Sequence, residues 1–467
     1  MILKKIFKDG ALLLIAKLLS MISGMLITIF VARYFGIDVY GKYTTALAFS
    51  SFILAFTDLG TDVYLLKECS IDKKKLSILY SNCLILKIFI LSLTSIFLFF
   101  MAKILNYDSD IYKLILIVTP HLVLNYIINI YFVIMQIEDK LSKNALIQIM
   151  QTLIMLFIVL ITFVLKLNIF IYGILQIILS LIILITYLTI IDIKFTITLK
   201  QSSIIFKGSI LFGLSSLLYI VYYKLDTIML SLIKGSYEVG VYESAYKVIS
   251  VLISLIVILD NIFMPKFFAL FKVNVDKMLN MYQFLLSVGV VISIPICFII
   301  MNLSGIIINL LYGSEYLEAN SVFKILIWSV AIRLLAAIVG FVITASNNMK
   351  IKVQFQFIFA LVNLILNMLL IPLLGAIGGA ISTILTELLV LLCYYYFIKK
   401  KFRTSLNYKF IFKVILVNIF SIFLFVLINT PYIILNSLLY ILYYIIIFII
   451  FNFGNIKSRL NLLRNKI

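Results

Sequence analysis

The chain has 467 residues, of which 64% are hydrophobic and only 12% are charged, and its formal net charge is +20 at pH 7. A soluble domain is closer to half apolar and a quarter charged, so this composition excludes an ordinary soluble protein. With so much apolar surface to cover, the chain needs lipid as its solvent.

Apolar segments long enough to cross a bilayer recur along the whole chain. About 20 apolar residues form a helix that spans the hydrocarbon core, and a backbone in lipid must satisfy its own hydrogen bonds, which favours helices. The first segment follows Lys4, Lys5 and Lys8, and we interpret it as a span rather than a signal peptide because no A-x-A-like cleavage site follows it. The fourteen predicted spans are 11–33, 44–65, 79–102, 114–136, 145–165, 169–191, 209–233, 244–264, 279–302, 321–344, 353–373, 376–398, 409–430 and 432–452.

The distribution of basic residues supports this number of spans. With the N-terminus placed in the cytoplasm, twenty-seven of the 39 lysines and arginines fall in inner loops and tails and only seven in outer loops. This is the asymmetry that the positive-inside rule describes, and a miscounted helix would invert every later loop. We therefore predict cytoplasmic termini, including a basic tail at 454–467. The same distribution accounts for the net charge, so we expect contact with anionic membrane lipid and no nucleic-acid partner.

A short motif occurs twice and indicates an internal duplication. Gly36, Gly41, Tyr43 and Ala46 form G-x4-G-x-Y-x2-A, and the same pattern begins 199 residues later at Gly235. In both places it follows an apolar span, the first and the seventh. We therefore predict two parallel six-helix bundles, 1–200 and 201–400, followed by two additional helices within 401–453. Transporters with parallel repeats place their substrate between the repeats.

Ionisable residues within the predicted spans are the candidate functional residues. Such residues are costly in a bilayer, and they pair with one another or face a polar cavity. The cations are Lys17, Lys87, Lys224, Lys247 and Arg333, and the acids are Asp58, Asp62, Asp226, Asp260 and Glu387. A cavity with lysine and arginine suits an anionic substrate such as a phosphate or pyrophosphate.

Two interpretations stay open for the acids, namely structural ion pairs or a site for coupling to a proton or sodium gradient. Asp58 and Asp62 are four residues apart and would share one face of a continuous helix. Two buried carboxylates at that spacing do not both ionise easily, so we expect one to be protonated or paired with Lys17 or Lys87. We assign Lys247 to snorkelling, because it lies near a predicted helix end. With His121 as its only histidine and its cysteines scattered, the chain predicts no metal site and no cofactor.

Several segments of this sequence resemble one known family. The segment 31–43, VARYFGIDVYGKY, followed by Asp58-Leu-Gly60, is similar to the opening of Wzx-type polysaccharide flippases of the MATE-like MOP superfamily. The segments KLDTIML at 224–230 and GVYESA at 240–245 resemble the counterpart in the second half. LYGSEY at 311–316 and GAIGGAI at 375–381 also match, so the resemblance covers nearly the whole chain.

The resemblance implies a transporter rather than an enzyme. Members move an undecaprenyl-pyrophosphate-linked oligosaccharide from the cytoplasmic to the outer leaflet of the bacterial inner membrane, for O-antigen or capsule synthesis. By this analogy, Lys17, Lys87, Lys224 and Arg333 are candidate headgroup contacts, and the helices at 409–452 would hold the lipid tail. Partners would be the lipid-linked oligosaccharide and, in the same pathway, a polysaccharide polymerase and a chain-length regulator.

Three alternatives stay open at this point. A MATE-like multidrug exporter would favour an acidic cavity, against which the lysines argue, and a lipid II flippase would have closely similar chemistry. From a different class, a membrane glycosyl polymerase or ligase usually has a large outer loop, which the predicted topology does not contain.

Overall fold

A computed structural model describes residues 2–57, 59–191, 196, 199–346, 348–404, 408–427 and 433–464. These residues are almost entirely α-helical and contain no β-strand. The fifteen helices are α1 (Ile2–Leu54), α2 (Thr61–Ile71), α3 (Leu76–Ile104), α4 (Ser109–Ile137), α5 (Leu141–Val164), α6 (Ile169–Ile190), α7 (Leu199–Ile233), α8 (Ser236–Val273), α9 (Val275–Asn302), α10 (Ser304–Tyr312), α11 (Ala319–Ala345), α12 (Met349–Leu374), α13 (Ala376–Phe402), α14 (Tyr408–Leu427) and α15 (Ile433–Arg464).

The helices confirm the prediction of an all-α, multi-pass membrane protein. Among the described residues, ten helices are long and apolar enough to cross a bilayer, and two shorter apolar helices lie at Phe412–Leu427 and Leu435–Ile449. α3 illustrates the pattern, because Phe89, Ile96 and Phe100 are each more than half exposed. An apolar surface of this kind is unfavourable in water and matches the hydrocarbon of a membrane.

Each of the fourteen predicted spans overlaps one or more helices, although not one span to one helix, and 428–430 and 432 at the ends of the last two spans lie outside the described residues. α1 has 53 residues, which at 1.5 Å per residue would measure about 80 Å, far more than a bilayer core of about 30 Å. Gly36, with φ 78° and ψ 169°, interrupts the helical backbone and divides α1 into the first span and the start of the second.

The second predicted span, 44–65, is not a single helix. After α1 the chain makes a 3₁₀ turn at Ala55–Thr57, and Gly60, with φ 71°, precedes the first residue of α2. The prediction that Asp58 and Asp62 lie on one continuous helical face is therefore wrong, because a left-handed glycine separates them. Asp58 itself lies outside the described residues.

The chain divides into two compact units. The first comprises 1–247 and 360–379, and the second 248–359 and 380–467. In the first unit, α1 packs against α4, α5 and α7, and α4 packs against α6. In the second, α9 packs against α11, α14 and α15 around a core that includes Phe267, Tyr282, Val342 and Ile398. The bundle limits 1–200 and 201–400 stay a prediction.

The first glycines of the two copies of the motif both have a positive φ angle. Gly36 has φ 78° and Gly235 has φ 90°, values that favour glycine because a side chain would be strained there. Ala46 and Ala245, the last residues of each copy, are both fully buried.

The second glycines of the two copies pack against each other within the first unit. A methyl group on Gly41 would overlap the carbonyl group of Ser236 and lie 3.1 Å from the backbone nitrogen of Gly240. A methyl group on Gly240 would overlap the carbonyl oxygen of Ile37. Ile37 and Ser236 occupy corresponding positions of the two copies, so the contact is reciprocal. The duplicated motif therefore brings α1 and α8 into backbone contact.

Candidate functional site

A polar cavity of about 230 Å³ lies inside the first unit. Its walls come from five helices, and it therefore contains residues from both halves of the duplicated sequence. The lining residues are Ile27, Thr28, Val31, Tyr40, Tyr43, Thr44 and Leu47 of α1, Met155 of α5, Tyr172 and Gln176 of α6, Lys224 of α7, and Glu243 and Lys247 of α8.

Three charged side chains line this cavity. Lys224 and Lys247 interact electrostatically with each other, and Glu243 offsets part of their charge. The Thr227 hydroxyl donates a hydrogen bond of 2.6 Å to Glu243 Oε1, which holds that carboxylate in place. With all three ionised, the lining carries a formal charge of +1, so an anion would be favoured over a cation.

Lys247 was misassigned by sequence reasoning. It lies within α8, eleven residues after the first residue of that helix, and it lines the cavity rather than extending from a helix end. The signal that could have found it is its spacing from Glu243, since residues four apart share one face of a helix. Lys224, by contrast, is a predicted headgroup contact that the structure does place on the cavity.

A hydrogen-bond network supports the α6 side of the cavity. Tyr43 donates to Gln176 Oε1 at 2.8 Å. Behind it, His121 Nδ1 lies 3.1 Å from the Gln176 carbonyl oxygen and 2.8 Å from Ser180 Oγ. Asn125 Nδ2 lies 3.1 Å from the other ring nitrogen of His121. His121, the only histidine of the chain, is therefore held by neutral partners. It contacts the backbone of Gln176, the residue that positions Tyr43.

Tyr242, the second-copy counterpart of Tyr43, also donates to a buried polar side chain. Its hydroxyl lies 2.8 Å from Asp226 Oδ2, and Asn367 donates to Asp226 Oδ1. Asn367 is itself 3.0 Å from Asn363 Oδ1. Asp226 of α7, a coupling or ion-pair candidate, thus accepts hydrogen bonds from neutral donors on two other helices of the first unit, α8 and α12.

Lys87 and Asp62 form an ion pair, which is one of the outcomes that the sequence predicted for this carboxylate. Lys87 Nζ lies 2.7 Å from both carboxylate oxygens of Asp62, and its side chain is 1% exposed. A lysine neutralised in this way has little charge left to offer an anionic headgroup. Lys17, the other candidate in the early helices, has an exposed side chain, and its assignment stays a prediction.

The second unit contains a similar buried pair. Arg333 Nε of α11 lies 2.8 Å from Glu387 Oε1 of α13, and both side chains are 8% exposed. Arg333, the fourth predicted headgroup contact, is therefore charge-paired, as is the coupling candidate Glu387.

Asp260, the remaining acid, lies in the second unit beside Lys352. The two side chains interact electrostatically, and Lys352 Nζ lies 3.4 Å from Thr344 Oγ1. The Oδ1 atom of Asp260 is buried and has no hydrogen-bond partner among the described residues. In all the residues that the structure describes, no group of three or more His, Cys, Asp or Glu side chains could hold a metal ion.

Comparison with known proteins agrees with this architecture. The family model described as polysaccharide biosynthesis protein matches residues 6–271, more than half of the chain. The capsular polysaccharide biosynthesis protein CapF of Staphylococcus aureus is 25% identical over 179 residues, which is 38% of this chain and 44% of CapF. The probable flippase AglR of Haloferax volcanii is 29% identical over 171 residues, 35% of each chain. The alignments thus span less than half the length of these curated relatives.

Solved structures of similar fold are transporters and flippases. The lipid II flippase MurJ, in an inward closed conformation, superposes with a TM-score of 0.81 at 18% identity, covering 96% of this chain and 100% of MurJ. An inward-facing multidrug resistance MATE family transporter of the MOP superfamily gives a TM-score of 0.68 at 13% identity, covering 83% of this chain and 96% of that one. These likenesses establish a shared fold. With the family model matching more than half of its length, the chain belongs to the polysaccharide biosynthesis protein family.

Proposed function

We propose that this protein is a flippase that moves a lipid-linked oligosaccharide across a membrane. The observation that carries the proposal is the placement of Lys224 and Lys247 on one polar cavity lined by both halves of the duplicated sequence. Membership of a polysaccharide biosynthesis family and relatives named for capsule synthesis and flippase activity support the same function.

The physical need for such a cavity follows from the substrate. A pyrophosphate-sugar headgroup cannot cross hydrocarbon unaided, because a buried charge without partners costs many kcal/mol. Lysine side chains supply charge-assisted hydrogen bonds that replace the lost water. Alternating access, in which helices rearrange around a fixed site, then changes the side from which the site is open.

The size of the cavity indicates which part of the substrate it holds. The volume of the cavity is about 230 Å³. This volume suits a pyrophosphate group or one sugar and is too small for a whole oligosaccharide. We therefore expect the cavity to widen during transport, with the pyrophosphate held at the lysines.

The finer features of the proposal come from the charge distribution and the resemblance. We infer an undecaprenyl-pyrophosphate carrier, transport from the cytoplasmic to the outer leaflet of a bacterial inner membrane, and cytoplasmic termini. The product would be used for O-antigen, capsule or a related polysaccharide, together with a polymerase and a chain-length regulator. A proton or sodium gradient would drive the cycle.

The test uses a strain that lacks the gene. Its polyprenyl-linked intermediates are extracted and weighed by mass spectrometry, and its surface polysaccharide is examined on a gel. We expect accumulation of one complete oligosaccharide unit and loss of polymer, both restored by the wild-type gene. Each cavity lysine contributes about 1.5–3 kcal/mol if it bonds a charged headgroup. Complementation by Lys224→Ala or Lys247→Ala should therefore fall about 10- to 100-fold.

The control for these variants lies on the connection between α7 and α8, the two helices that contain Lys224 and Lys247. Lys234 is exposed and does not line the cavity, so Lys234→Ala should complement fully. Full complementation by both cavity variants would refute the assigned role of the cavity. Unchanged lipids together with new sensitivity to cationic drugs would favour the multidrug exporter. Accumulation of lipid II would favour a lipid II flippase. Accumulation of exported but unpolymerised units would favour a polymerase or ligase.

A further inference from the structure

A second, apolar groove lies beside the polar cavity in the first unit. It measures about 180 Å³ and runs between α1, α5 and the start of α6. Apart from Thr162 and two tyrosines, every lining residue is aliphatic or phenylalanine. Phe30, Leu160 and Phe163 line the groove and are each at least half exposed, so the groove is open to the surface that contacts lipid.

The groove and the polar cavity share a wall. Val31 and Tyr172 line both of them, and both residues are buried. An amphipathic molecule could therefore have its charged end at the lysines and its apolar end in the groove.

A row of aromatic rings connects the lipid-facing surface to the polar cavity. Ring centroids are 5.7 Å apart for Phe163 and Tyr34, 4.7 Å for Tyr34 and Phe35, and 6.1 Å for Phe35 and Tyr172. Tyr172 and Tyr43 follow at 5.8 Å, and Tyr43 lines the cavity. Such rings offer large apolar faces, and the two tyrosines at the far end of the row, Tyr172 and Tyr43, line the polar cavity.

We propose that this groove holds the first part of the hydrocarbon chain of the lipid whose charged headgroup occupies the polar cavity. The inference rests on the proposed flippase function. An apolar cavity of about 150 Å³ is large enough to stay dry and bind benzene, so about 180 Å³ holds a short stretch of chain and leaves the rest in the bilayer.

The position of the groove along α5 gives its depth in the membrane. It lies at the C-terminal end of α5, where its lining residue Phe163 precedes Lys166 by three residues. The predicted topology places Lys166 outside, so the groove is at the level of the outer leaflet. The chain would occupy it when the headgroup is about to leave on that side.

This placement differs from the one that the family resemblance implies, in which the last two helices hold the lipid tail. α14 offers a matched position for a direct comparison. Phe423 is 58% exposed and Phe163 is 62% exposed, and both are phenylalanines on apolar helices.

The test is site-specific photo-crosslinking in the full-length protein. Phe163 or Phe423 is replaced by p-benzoyl-phenylalanine, and each variant is reconstituted into vesicles of phosphatidylethanolamine and phosphatidylglycerol with tritiated undecaprenyl pyrophosphate. We expect labelling at residue 163 to exceed that at 423 by about tenfold, a preference of about 1.4 kcal/mol, and to be competed by the unlabelled lipid. Leu160 gives a second position on the same groove, should the first variant not fold.

A thermal shift on the same lipid separates the groove from the function. Stabilisation of the protein by undecaprenyl pyrophosphate, with equal labelling at both positions or stronger labelling at 423, would overturn the groove and leave the proposed function standing. If the lipid neither stabilises the protein nor labels any position saturably, the groove and the proposed function are both overturned.

Discussion

The contact between the duplicated glycines makes a sharp prediction for Gly41→Ala. A methyl group at Gly41 would overlap the Ser236 carbonyl, with that carbon only 2.7 Å away, and would lie 3.1 Å from Gly240 N. Because the obstructing atoms belong to backbone, the conflict cannot be relieved by a rotamer change. Overpacking costs about 1–3 kcal/mol. We expect a loss of about 2–3 kcal/mol for this variant, since the obstacle is rigid.

Gly24→Ala is the matched control because it lies on the same helix. An added methyl group there meets nothing within 4 Å. Alanine is favoured over glycine within a helix by about 0.5–1 kcal/mol, so this variant should be neutral or slightly more stable. The two substitutions are chemically identical, and they should differ by about 3 kcal/mol because of the contact alone.

The measurement is thermal unfolding in detergent with a thiol-reactive dye. Cys69 and Cys83 are buried and free, so they react when the first unit opens. The unfolding midpoint of Gly41→Ala should lie below that of the wild type, and that of Gly24→Ala at or above it. Equal midpoints for the two variants would refute the argument that the duplicated motif forms a close backbone contact.

Three further predictions concern buried polar groups. Asp62→Asn leaves Lys87 buried beside a neutral amide and should cost about 3–5 kcal/mol in the same thermal assay, with recovery when Lys87→Met is added. Glu387→Gln should destabilise by a similar amount, because it leaves Arg333 without its carboxylate, and Arg333→Met should restore the midpoint. Tyr43→Phe removes a buried hydrogen bond and should cost about 1–3 kcal/mol, while transport falls with the loss of a cavity hydroxyl.

An exposed ion pair serves as the control for the two charge-pair variants. Lys73 and Asp139 are 2.7 Å apart, but their side chains are 60% and 75% exposed. Such pairs contribute about 0–1 kcal/mol, so Asp139→Asn should hardly change the midpoint. A loss as large as that of Asp62→Asn would mean that burial does not decide the cost of breaking these pairs.

The positions of the helices were predictable from the sequence because each helix coincides with a long apolar segment. The segment 353–373 lies within α12, for instance, and its ends differ from those of the helix by a few residues. The repeated glycine motif was also readable, because Gly36 and Gly235 are needed for a backbone conformation that other residues rarely adopt. The break at Gly60 was missed, since an isolated glycine within an apolar segment does not by itself indicate a turn.

The partners of the buried charges were less predictable. Lys87 and Lys224 look alike in sequence, each a lysine within an apolar span, yet one is paired with Asp62 and the other lines the cavity. A span that is apolar on all sides gives little indication of which face meets a neighbouring helix. The face that each helix turns towards its neighbours is set by packing between segments that are distant in sequence. A short stretch of sequence does not contain that information.

The reciprocal glycine contact has a consequence for how such a chain can be assembled. Gly41 meets the residue that corresponds to Ile37, and Gly240 meets Ile37 itself. This exchange of partners is the arrangement of an isologous interface, in which the same patch on two subunits pairs with itself. A polypeptide of half the length, with one copy of the motif, would therefore present a surface complementary to its own. In a pair of such half-chains, each second glycine would meet the carbonyl group of position 37 in the other copy, and the two contacts would be related by a twofold axis.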